Sequence, residues 1–190
     1  MKNIIARHFD EHVAAIRDIS DEYVGVIGDI AQTIIDCYKN GGKILLFGNG
    51  GSAQDAEHIA AELVGRYVME RRSLPAIALN INTSVLTAIA NDYEYHQVFE
   101  RQVDALVNEG DVVIGLSTSG NAENVIRGIL KAKEKNAKTV GLTGKDGGRL
   151  KDVVHIHFGV PSNNTPRVQE VHITVGHIIC GLVEEALFGE

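Results

Sequence analysis

Apolar residues recur at helical spacing through the first forty positions, at Ile4, Ile5, Phe9, Val13, Ile16 and Ile19 and again at Val24, Ile27, Ile30, Ile34 and Ile35. Residues three and four apart share one helical face, so the pattern predicts two amphipathic helices. Ser20-Asp21 divides them and offers a cap for the second. From residue 43 the texture changes. Short apolar runs at Ile44–Phe47, Ala76–Leu79, Val112–Leu116, Thr139–Leu142 and Val153–Phe158 are separated by glycine and polar residues, and each has the length of a strand. Helical periodicity fills the gaps at 52–69, 84–107 and 121–136, with a single turn at 147–151 and a long apolar helix at 165–188.

Short apolar strands alternating with amphipathic helices are the pattern of βαβ units, whose strands run parallel and are covered on both faces. The expected fold is α/β, a three-layer, doubly wound, five-stranded parallel sheet over residues 41–190, with extra N-terminal helices at 1–40 forming an arm suited to oligomer contacts. A length of 190 residues suits one globular unit, and three prolines with no low-complexity tract leave no evident linker.

Charge narrows the possible partners. With 18 basic and 25 acidic residues the formal charge is −7, the wrong balance for binding nucleic acid by counterion release. The local group Arg66, Arg71 and Arg72 reads as solvated or substrate-facing. Cys37 and Cys180 have no CxxC partner and fall inside apolar helical patterns, so they are expected to fill core space in a reducing compartment. Asp10 and Glu11 interrupt the N-terminus before any signal-peptide core, and no segment shows the uninterrupted apolar length of a membrane span. A cytoplasmic protein without a membrane partner is the expectation.

Two loops carry candidate chemistry. The first strand runs into Gly48-Asn49-Gly50-Gly51-Ser52-Ala53, directly ahead of a helix. Glycines there permit close backbone approach, and the helix N-terminus offers N–H groups to a phosphate. The same residues fit a dinucleotide fingerprint, but that motif needs an acidic residue at the end of the second strand, where this chain has Asn80-Ile81-Asn82-Thr83. The third strand runs into Ser117-Thr118-Ser119-Gly120-Asn121, whose hydroxyls and following helix can also surround a phosphate, although the same residue types serve as an ordinary cap and turn. In a flavodoxin-like strand order, 2-1-3-4-5, the first and third strands are neighbours and these loops line one crevice.

His58 and Glu62, four residues apart, share a helical face and can share one metal ion, or form a plain surface pair. In the last helix Gln169 and His177 differ by about 80° and can face one site, whereas His172 and His177 differ by about 140°. His172 is therefore read as solvent-facing or structural. His155 and His157 alternate along a strand, as residues at an edge or interface do, and no chemistry is assigned to them or to His8, His12 and His96.

Taken in order, Gly48-Asn49-Gly50-Gly51-Ser52, His58, Glu62, Gly65-Arg66-Tyr67, Asn91-Asp92, Ser117-Thr118-Ser119-Gly120, Gln169 and Gly176-His177-Ile178 resemble the phosphoheptose isomerases of the sugar isomerase (SIS) domain superfamily over nearly the whole chain. The resemblance implies isomerisation of sedoheptulose 7-phosphate to D-glycero-D-manno-heptose 7-phosphate, for bacterial heptose and lipopolysaccharide synthesis. It implies a homotetramer with sites between subunits, and one zinc ion per site held by His58, Glu62, Gln169 and His177. Substrate contacts are implied for Asn49, Gly50, Gly51, Ser52, Glu62, Asn91, Asp92, Ser117, Thr118, Ser119 and Gln169. Two positions depart from some relatives, Ala122 in place of a phosphate-contacting hydroxyl and Pro166 in place of an aspartate.

An aldose–ketose isomerase moves one proton between adjacent carbons and another between two oxygens, through an enediol. Glu62 is expected to act on the carbon-bound proton and His177 on the oxygen-bound one. Two alternatives stand beside this reading. One is a non-catalytic regulator of replication initiation on the same fold, a group that lacks the histidine matching His177; the other is a metal-free isomerase of another phosphosugar.

Overall fold

The computed structural model describes residues 1–19 and 21–189; Ser20, half of the expected helix break, lies outside them. Helices α1 (Lys2–Arg17) and α2 (Asp21–Lys39) precede β1 (Ile44–Gly48), α3 (Gly51–Val64), β2 (Ala76–Ala78), α4 (Thr83–Asp92), α5 (Val98–Leu106), β3 (Val112–Ser117), α6 (Glu123–Glu134), β4 (Lys138–Thr143), β5 (Ile156–Gly159) and α7 (Thr165–Phe188). Single 3-10 turns occupy Tyr95–Gln97 and Leu150–Asp152. All strand pairs are parallel, in the order β2-β1-β3-β4-β5, so β1 lies beside β3 with Ile44 opposite Val112. The expected α/β architecture and strand order are both present.

Alternation along the strands builds two cores. Ile44 and Leu46 of β1 pack with residues of α2, α3 and α7, while Leu45 and Phe47 face α5 and α6. Burial on both faces is why these strands read as continuous apolar runs. Cys37 and Cys180 are both buried, as expected, and burial raises both thiols, Cys37 to about 11 and Cys180 to about 12. His157 lies on the edge strand β5 and its Nε2 is 2.7 Å from Thr143 Oγ1, while His155 Nδ1 accepts the Thr139 N–H at 3.0 Å.

The structure corrects several expectations. The helix read as 84–107 is two helices, α4 and α5, separated by Tyr93–Gln97. The helix read as 52–69 ends at Val64, and β5 begins at Ile156 rather than Val153. The 24-residue α7 is, by length and composition, long and apolar enough to cross a membrane, contrary to the expectation that no segment is. In the fold it packs against α2 and α3 and buries Val168, Val171, Val175, Ile179 and Val183.

His172 is completely buried in α7, so its reading as structural holds and the solvent-facing one does not. Its Nε2 lies 3.0 Å from the Thr143 carbonyl oxygen, which can only accept, so Nε2 carries a proton. Burial pushes its pKa down to about 4, against the opposing pull of that carbonyl. The unfolded chain binds this proton near pH 6.5 and the folded chain only near 4, so the folded state loses stability as pH falls through that window. The full loss is roughly 3 kcal/mol. Urea midpoints of the wild type should drop between pH 7 and pH 4.5, and His172→Gln should flatten that slope. An unchanged slope in the variant would place the acid lability in other groups.

Candidate active site

The first loop turns through Gly50, whose φ of 58° is a left-handed conformation that side chains rarely adopt, and α3 starts immediately after it. Asn49 does not project freely: it exchanges two amide hydrogen bonds with Asn124 of α6, both 2.9 Å, and accepts one from the Tyr95 hydroxyl at 3.2 Å. These contacts join the loop after β1 to the first turn of the helix after β3. Asn80 braces the base of the first loop by donating to the Gly48 carbonyl at 2.8 Å and accepting from the Gly48 N–H at 3.3 Å.

The second loop turns at Gly120, φ 65°, where a Cβ would sit 1.9 Å from the Gly147 carbonyl oxygen, so only glycine fits. Thr118 and Ser119, with Asn121, Asp146, Asn163 and Thr165, line an open polar cavity of about 330 Å³. Ser117 is buried, and Ser52 is only 3% exposed, packed beneath the first loop. Among the described residues neither α3 nor α6 has a side-chain cap, because Gly50 and Ala122 occupy the capping positions. The N–H of Val125 is taken by Asn124, while the rest of the first turn of α6 faces the serine loop's end of the sheet with its dipole favourable to an anion.

Two helices supply the donor cluster. Gly51 opens α3 against α7: a Cβ there would lie 2.5 Å from Gln169 Nε2. Further along, Gly176 of α7 packs on Ile59 of α3. The helices therefore run side by side, with Gln169 at Gly51 and His177 at His58. His58 Nε2 is 3.0 Å from Glu62 Oε1 and 3.4 Å from His177 Nε2, and ligand atoms from all three residues lie within 4.8 Å of one another. Two corners of a tetrahedron with zinc–nitrogen bonds of about 2.0–2.1 Å stand about 3.4 Å apart, so the two imidazoles are spaced for one ion. A nitrogen, nitrogen, carboxylate donor set also suits zinc. The amide of Gln169 faces Gly51, and Asn91 and Asp92 end α4 in exposed positions, joined by an Asn91 Nδ2 to Asp92 Oδ1 bond of 2.9 Å.

Several neighbours of this cluster escaped the sequence reading. Asp55 lies one turn before His58, with its Oδ2 buried and unpartnered among the described residues, and burial raises its pKa to about 6 against the lowering effect of His58. Its spacing from His58 and Glu62, three and seven residues, was a visible signal that all three share a face. The ring of Tyr67 stacks on His177. Arg71, read as solvated or substrate-facing, is instead buried in an ion pair with Glu184 at 2.9 Å. Nothing in the local pattern marks Tyr95, Asn124 or Glu184, whose partners are distant in sequence.

The SIS domain family model matches residues 7–144. The chain is 52% identical to the phosphoheptose isomerase of Clostridium acetobutylicum, over all of this chain and 98% of that protein. It is 58% identical to that of Aquifex aeolicus, over 86% of this chain and 85% of the relative. The solved phosphoheptose isomerase of Neisseria gonorrhoeae superposes with a TM-score of 0.92 at 40% identity, covering 97% of this chain and 98% of that one. The chain belongs to the SIS domain family and, within it, to the phosphoheptose isomerases.

Proposed function

We propose that the chain converts sedoheptulose 7-phosphate to D-glycero-D-manno-heptose 7-phosphate with zinc assistance, in the cytoplasm, feeding heptose into lipopolysaccharide. The observation that carries this reading is the His58, Glu62 and His177 cluster, in a chain that also has two helix N-termini without a side-chain cap among the described residues. The phosphate is assigned to the serine loop, where Ser117, Thr118 and Ser119 and the N-terminus of α6 supply donors. Asn49, Gly50, Gly51, Ser52, Asn91, Asp92 and Gln169 are assigned to the sugar.

His58, Glu62 and His177 would hold zinc, with Gln169 proposed as the fourth ligand. Bound there, zinc supplies Lewis acidity to the carbonyl and to the developing oxyanion. Glu62 takes the proton from the reacting carbon and returns it to the neighbouring carbon, and His177 carries the proton that moves between the two oxygens.

A homotetramer is part of the proposal, with the helical arm of residues 1–40 as its assembly element and sites completed between subunits. Ile4, Ile5 and Phe9 of α1 are more than half exposed, and Val13 and Ile16 are also exposed, which is apolar area a neighbouring copy would cover. The test of function is turnover of sedoheptulose 7-phosphate by purified protein, before chelation, after it and with zinc restored. Activity lost and regained with zinc is expected. No turnover with zinc bound would end the heptose assignment, and full turnover by verified metal-free protein would end the zinc one.

A further inference from the structure

The segment between α3 and β2 is governed by one carboxylate. Glu184 of α7, 1% exposed, accepts the backbone N–H groups of Tyr67 at 2.7 Å, Val68 at 2.9 Å and Met69 at 2.9 Å, and Nε of Arg71 at 2.9 Å. The same guanidinium donates to the carbonyls of Glu62 and Leu63, each at 2.8 Å, and of Gly65 at 3.1 Å, which are the chain-end carbonyls that a helix cannot satisfy itself. Burial acts to raise the Glu184 carboxyl, but the three N–H groups and Arg71 prevail and hold it below the usual carboxylate range, so it is ionised.

His177, Gly181 and Glu184 lie four and three residues apart on one face of α7. The clamped segment runs along that face. Its Tyr67 ring lands on the His177 imidazole, centroids 5.4 Å apart and planes at 26°, and a Cβ built on Gly181 would touch the same ring at 3.5 Å. The His58 ring meets His177 edge-on, at 5.0 Å and 76°. The imidazole is thus bounded by a stacked ring and by the residue whose Nε2 it faces.

We propose that Tyr67 is a positioning residue for His177, its ring holding the imidazole so that Nε2 points at the His58–Glu62 pair, with Glu184 and Arg71 fixing the segment that carries it. The inference rests on the reading of His177 as a working residue of the isomerase site. Outer partners that orient a ligating histidine are worth about tenfold to a hundredfold in metal affinity or activity.

The test compares Tyr67→Ala and Tyr67→Phe with the wild type, after matched thermal unfolding shows each to be folded. Three quantities are read: zinc affinity of metal-free protein by calorimetry, kcat and KM for sedoheptulose 7-phosphate, and the His177 ring-proton shifts in metal-free protein. Tyr67→Ala should lose about tenfold to a hundredfold in zinc affinity and kcat with KM within about twofold, and should release His177 from the ring-current shift, while Tyr67→Phe stays near wild type in all three. Unchanged affinity and unchanged ring shifts in Tyr67→Ala would overturn the inference. So would a Tyr67→Phe variant as impaired as Tyr67→Ala, since the hydroxyl and not the stack would then matter. A wild type inert toward the sugar would remove the functional reading, leaving calorimetry and ring shifts to judge the positioning role.

Discussion

Glu62→Gln is expected to lower turnover by about 10²–10⁴-fold, the usual worth of a positioned general base. The substitution keeps the volume of a half-buried side chain whose Oε1 is 3.0 Å from His58 Nε2. It removes the charge and the capacity to accept a proton, so a loss through the metal must be separated from a loss of base. Hydrogen exchange between solvent and the reacting carbon, followed at saturating zinc, makes that separation: exchange should disappear with turnover. Wild-type exchange in the variant would reduce Glu62 to a ligand. Asp55 would then be the remaining carboxylate on that face of α3, and its pKa, raised by burial to about 6, is suited to accepting a proton near neutral pH.

The strands and their order were legible because each is a short apolar run buried on both faces, and because glycine-containing loops separate them. The donor cluster was legible where spacing on one helix is informative, as for His58 with Glu62. The spacing of Gln169 and His177 showed a common face of α7 but not what that face meets. Gly51 against Gln169 and Gly176 against Ile59 are contacts between α3 and α7, more than a hundred residues apart in the chain. The break between α4 and α5 went unseen because Val85, Ile89, Phe99 and Val103 fall on one helical face, with no glycine or proline between. Its consequence is a bent segment that brings the Tyr95 hydroxyl to Asn49. The helix expected through residue 69 stops at Val64, with Gly65 at its C-cap as the local stop signal, and distant contacts then carry the chain away. The N–H groups of Tyr67, Val68 and Met69 leave the helical ladder for a carboxylate 115–117 residues further on.

That carboxylate should dominate the stability of the site's outer wall. Glu184→Ala is expected to cost about 3–5 kcal/mol, because it strands a buried cation as well as removing a bond. The Arg71 side chain, 1% exposed, would keep its charge without a counter-ion, and three backbone N–H groups would lose their acceptor. At a fixed protein concentration, needed because assembly would add to apparent stability, the thermal midpoint should fall by roughly 10 °C. Arg71→Met is the informative companion. It leaves Glu184 with its three N–H partners and removes the guanidinium that serves the carbonyls of Glu62, Leu63 and Gly65, so its loss should be smaller. If the two variants lose equally, the ion pair outweighs the backbone bonds. If Glu184→Ala costs under about 1 kcal/mol, the segment carrying Tyr67 is held by other contacts, and the link from α7 to His177 through that segment would have to be abandoned.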